Sequence, residues 1–203
     1  MSASIYCGFS IRPLLSGVLF AVFLLSLPGG AAALFAREYS RGALAEGTRW
    51  ENPYFVIDSG VEGPVVLITG GMHGNEPAGS RAAEQLVHWN IVRGRLVIVP
   101  RTNIPGLKAN TRFMPGVDKP ANNLNRNFPG TGAPDVARSV PGKALWELAR
   151  KLRPQWVFDL HEGFDFHIAN KGSVGSSVIY LDSPETRKVA ALLIDEVNPT
   201  ITD

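Results

Sequence analysis

Residues 65 to 69, VVLIT, carry no charged or strongly polar alternate, and a strand of that kind must be covered on both faces. RLVIV at 95 to 99 repeats the demand. Between them, a glycine-rich turn leads to Pro77, which suits the first position of a helix, with Asn75 or Glu76 near its cap. That helix is expected to run to about Asn90. Two buried strands joined by a helix make a β-α-β unit, which crosses right-handed in a parallel sheet. Upstream, YFVID at 54 to 58 and the turn SGVEGP complete a strand–turn–strand. Downstream come an amphipathic helix at 142 to 152, strands at 155 to 161 and 176 to 181, and a helix capped by Ser183 and Pro184. Residues 34 to 50 read as a polar lead-in, and residues 100 to 140 as an irregular, functional segment. The fold class expected is α/β: a largely parallel mixed sheet flanked by helices.

The chain of 203 residues suits one domain behind a leader. Residues 1 to 33 read as a signal peptide: Arg12, an apolar stretch from Leu14 to Leu27, a Pro-Gly-Gly break, then Ala31, Ala32 and Ala33 for cleavage. An uncleaved anchor is the alternative, but the apolar run is short for a bilayer. The expectation is a secreted or periplasmic domain at 34–203, with no stable membrane association after cleavage. Cys7, the single cysteine, lies in the leader, so the mature domain has no disulfide, thiol nucleophile or Cys-ligated zinc. Without the leader, 19 basic residues stand against 18 acidic ones, and no basic run or basic–aromatic patch suggests nucleic acid.

The turn GGMHGNEPAG, residues 70 to 79, places His73 and Glu76 three apart directly after a buried strand. An H-x-x-E pair can offer one nitrogen and one carboxylate oxygen to a single cation, and catalytic zinc often takes two His and one Glu. Alone, such a pair is more often a solvated turn. His161 ends another strand, and in open sheets ligands bind beyond the carboxyl ends of strands. His167 competes as third ligand, but no element fixes it; His88 reads as a surface or packing residue. Asp159, on the same strand face as His161, could accept the histidine's free N–H, or be merely solvated. In NLNRNFPG, residues 123 to 130, Arg126 can fork to a carboxylate or polarise a carbonyl, with the Asn125 amide beside it. There is no phosphate-binding P-loop, no G-x-S-x-G and no H-E-x-x-H.

Together, GGMHGNEPAG, NLNRNFPG and DLHEG resemble the succinylglutamate desuccinylase/aspartoacylase family, of zinc metallocarboxypeptidase-like fold, over about residues 64 to 181. The resemblance implies one Zn2+ held by His73, Glu76 and His161, with Asn125 and Arg126 as substrate contacts and Arg126 also steadying the oxyanion. The family's usual Asp two positions before the Asn is Asn123 here. The activity implied is metal-assisted hydrolysis of an N-acyl amino acid or a peptide-like amide. In the family the general-base Glu comes from a later strand, which is not evident here. Strand alternation turns Glu162 away from His161's face, and Asp165 is loop-borne. The general base is therefore unknown, and the 203 residues are expected to be an incomplete version of a longer protein. A metallocarboxypeptidase is one alternative, and a zinc- or ligand-binding protein without a base is another. Oligomeric state is not legible.

Overall fold

The structure is a computed structural model, which describes residues 3–8, 38–130, 136–163, 171–172 and 174–200. Seven strands form one sheet: β1 (Ala3–Gly8), β2 (Glu38–Leu44), β3 (Asn52–Asp58), β4 (Val65–Gly70), β5 (Arg95–Val99), β6 (Trp156–His161) and β7 (Val178–Tyr180). Their spatial order is β2-β3-β5-β4-β6-β1-β7. The centre, β5-β4-β6-β1, is parallel, and the flanking strands pair antiparallel. The helices are α1 (Pro77–Leu86), α2 (Ile104–Ala109), α3 (Val140–Leu152) and α4 (Pro184–Val197). This is the expected α/β architecture, a mixed sheet flanked by helices.

The two apolar strands are covered on both sides, as their composition requires. Val97 and Val99 of β5 and Leu67 of β4 join a cluster with Leu145 and Leu148 of α3. Leu96 and Ile98 face the other way, against Ala83 within α1 and Val87 just beyond its end. Alternating side chains of one strand thus enter two cores.

Three segments differ from expectation. The lead-in contains β2, an edge strand paired along its whole length with β3; five of its seven residues are exposed, so no buried face marks it in the sequence. The irregular stretch contains α2, capped by Asn103, whose Oδ1 accepts the Gly106 N–H, and a 3-10 turn at Leu124–Arg126 capped by Asn123. Pro105 and Gly106 disguise α2 as a turn. Helix α1 stops at Leu86, short of Asn90.

Residues Ala3–Gly8, which the sequence assigns to the leader, lie as β1 between β6 and β7, parallel to the first and antiparallel to the second. The apolar stretch Leu14–Leu27 lies outside the described residues. Among the described residues no helix is long and apolar enough to cross a membrane.

Candidate metal centre

Strands β4 and β6 are parallel neighbours with Gly70 opposite Leu160, so the chain leaves both at the same edge of the sheet. His73 and Glu76 follow β4, and His161 ends β6. Glycines close the remaining distance. A Cβ on Gly79 of α1 would sit 2.2 Å from the Leu160 carbonyl oxygen, and one on Gly70 would sit 2.6 Å from the Gly79 oxygen. Backbone lies directly on backbone here, which only glycine permits. The Gly70-Gly71 turn is pinned by Thr102, whose N–H and Oγ1 both donate to the Gly70 carbonyl, at 2.9 and 2.8 Å.

One ligand atom from each of His73, Glu76 and His161 lies within 4.8 Å of the others. His73 Nδ1 is 2.9 Å from Glu76 Oε1, and His161 Nδ1 is 2.7 Å from Glu76 Oε2. The two rings are tilted by 52° with centroids 4.9 Å apart. Each outer nitrogen has an oxygen partner. His161 Nε2 is 2.8 Å from Asp159 Oδ2, and His73 Nε2 is 3.3 Å from Asn123 Oδ1. Asp159 is held in turn by Thr69 Oγ1, which donates to its Oδ1 at 2.7 Å across the β4–β6 register. An Nε2–H donated outward leaves the Nδ1 lone pair facing inward, the tautomer a cation needs. The donor set, two imidazoles and a carboxylate backed by oxygen acceptors, fits zinc.

Of the other sequence candidates, Asn125 lines a cavity of about 530 Å³ on the α3 face of the sheet, together with Asp159, Thr69, Leu145, Trp146 and Val157. Arg126 is exposed, and its Nη1 donates to the Asn125 carbonyl at 3.0 Å rather than into the cluster. His88 is exposed, beyond the end of α1. His167 and Asp165 lie outside the described residues. Glu162 turns away from the cluster's cavity face, as alternation requires, and accepts the Ala78 N–H at 2.9 Å. Sequence reasoning missed Arg112, whose Nη1 donates to Glu76 Oε1 at 2.5 Å. Nothing in the irregular stretch distinguishes that arginine from a solvated one.

Burial pushes the Glu76 carboxyl up, but hydrogen bonds from His161 and His73, and their charge, outweigh it and hold it well below the usual carboxylate range. For His161, burial pushes down, while hydrogen bonds and charge from Asp159 and Glu76 raise it to about 9 from an ordinary 6.5. A raised folded value contributes stability that is fully present below about 6.5 and is lost as pH rises through about 9. The lowered value of Glu76 works oppositely: its contribution is present above its ordinary 4.5 and is lost as the carboxylate protonates in acid. Metal-free protein should therefore lose stability steadily from neutral pH to beyond pH 9, read as urea midpoints in chelator. His161→Gln should flatten that alkaline decline; an unchanged slope would reject the assignment.

Residues 62–196 match the family described as the succinylglutamate desuccinylase/aspartoacylase catalytic domain. The N-alpha-acetyl-L-2,4-diaminobutyric acid deacetylase of Halomonas elongata is 40% identical over 116 residues, covering 55% of this chain and 32% of that protein. A solved aspartoacylase family protein from Mesorhizobium loti shares 36% identity, with a TM-score of 0.48 over 61% of this chain and 40% of its own. The product-bound ectoine utilization protein of Ruegeria pomeroyi shares 30% identity, with a TM-score of 0.46 over 60% and 38% of the two chains. The chain thus spans about a third of the length of the curated relative it matches. The family match covers all three candidate ligands and the loop that orients His73, and the chain belongs to the succinylglutamate desuccinylase/aspartoacylase family.

Proposed function

We propose that the chain is part of an exported zinc-dependent hydrolase that cleaves an N-acyl amino acid or a related amide with metal-activated water. The observation that carries this reading is the convergence of His73, Glu76 and His161 within 4.8 Å, with both outer histidine nitrogens held by oxygen. Family membership and the deacetylase name of the Halomonas relative support the hydrolase class. Zinc held by the three residues would supply a bound water of near-neutral pKa and a Lewis acid for the scissile carbonyl. Asp159 and Asn123 keep the Nε2 protons in place, fixing both imidazole orientations. The cavity beside Asp159, walled by Leu145, Trp146 and Val157, offers an apolar space next to the ligands, with the Asn125 amide at its lining. Arg126 supplies a cation for a substrate carboxylate. Export rests on the leader reading, and N-terminal sequencing of the mature protein should find cleavage after Ala33.

A non-catalytic zinc- or ligand-binding protein is the second reading, and one observation favours it. Among the described residues, the Asp159 carboxylate meets the ligand His161 and is also held by Thr69, and the nearby Glu162 carboxylate accepts the Ala78 N–H. Both are thus already occupied by hydrogen bonds within the protein. Turnover by the zinc-loaded, full-length protein on N-acetyl amino acids, against short peptides, separates deacylase, carboxypeptidase and binder. In that assay Arg126→Ala should leave zinc bound and raise KM roughly 10–100-fold, the equivalent of ~1.5–3 kcal/mol for a charge-assisted hydrogen bond. Unchanged kinetics would refute the role of Arg126.

A further inference from the structure

The first N–H groups of a helix lack partners within it, and the N-cap residue normally turns its own side-chain oxygen onto one of them. Glu76 is the N-cap of α1 and makes no such bond. Its two oxygens face His73 and His161 instead. The amide left over, at Ala78, donates to Glu162 Oε2 at 2.9 Å, from the residue following β6. The Glu162 N–H in turn reaches toward Glu76 Oε2 at 3.4 Å. Residue 162 therefore touches both the helix that carries one ligand and that ligand itself.

We propose that Glu162 is a positioning residue for the cation site: it caps α1 in place of Glu76 and so keeps the Glu76 carboxylate turned to the two histidines, with Arg112 on its Oε1. The inference rests on the metal-centre reading above. A carboxylate at a helix N-terminus is favoured by the aligned peptide dipoles as well as by the hydrogen bond. The contact also ties the 73–76 turn to the end of β6 by a bond that needs no metal. Without it, Glu76, as the N-cap residue, is the one whose side chain would ordinarily take the freed amide, and capping would draw it from the histidines.

Three variants separate capping from charge. Glu162→Gln keeps an acceptor oxygen at the same reach. Glu162→Asp keeps the charge but withdraws the acceptor by one methylene. Glu162→Ala removes both. Zinc affinity is read by competition with a chromophoric chelator, and capping by hydrogen exchange of the Ala78 amide. Expected are losses of about 10–100-fold in affinity for Ala and Asp, typical of outer-shell partners, and a change within about threefold for Gln. Ala78 protection should fall in the first two and persist in the third. Affinity that follows charge, with Asp like wild type and Gln like Ala, would overturn the proposal, as would unchanged affinity in all three. Should Glu162→Ala fail to fold, the Asp and Gln pair decides. No zinc binding by wild type would reject the cation site itself, and this inference with it.

Discussion

His161→Ala should cost the chain roughly 10²–10³-fold in zinc affinity, since ~10–16 kcal/mol of apparent zinc binding shared over four ligands is about 2.5–4 kcal/mol each. The loss arises on two levels. The inward nitrogen disappears, leaving Glu76 and His73 as the remaining protein ligands. The Asp159 carboxylate, 7% exposed and held at one oxygen by Thr69, loses its imidazole partner and becomes a costly buried charge. Asp159→Asn is the informative companion, because it keeps the shape and an acceptor oxygen while removing the charge. Its affinity should fall between wild type and His161→Ala. Retained tight zinc in His161→Ala would end the ligand assignment.

Gly79→Ala should destabilise the fold by about 2 kcal/mol or more and weaken zinc binding with it. In an exposed helix the exchange would be favourable by ~1 kcal/mol, because alanine is the better helix former. Here the new methyl would lie 2.2 Å from the Leu160 oxygen and 2.7 Å from its carbonyl carbon. Those atoms belong to the backbone of β6, which is hydrogen-bonded to β4 and cannot yield as a side chain would. Overpacking of about 1–3 kcal/mol or more against backbone therefore outweighs the gain in propensity. The helix must move away from β6, and Glu76 moves with it. Urea denaturation gives the first effect and chelator competition the second. A stabilised protein with unchanged zinc affinity would mean that α1 does not rest on β6 as described.

Much of the fold was legible because it depends on local signals. The apolar runs of β4 and β5, the proline opening α1 and the Ser183 cap of α4 all act within a few residues. The cap forms as expected, with Ser183 Oγ accepting the Thr186 N–H and Thr186 Oγ1 accepting the Ser183 N–H. The meeting of His73 and His161 was legible too, since parallel strands deliver their following loops to one edge. What escaped depends on distant partners. β2 is exposed on most of its length and exists by pairing with β3. Arg112 matters because its loop lies over Glu76, 36 positions away in the chain. Alternation places the Glu162 side chain on the other face from His161, but its partner there, the Ala78 amide, appears only once α1 rests on β6.

Whether His73, Glu76 and His161 form one metal site is decided by titrating the metal-free protein with zinc against a chromophoric chelator, with X-ray absorption on the loaded form. One equivalent of tightly bound zinc is expected, with two imidazole nitrogens at about 2.0 Å and oxygen completing the shell. No tight binding, or a shell without histidine, would contradict it.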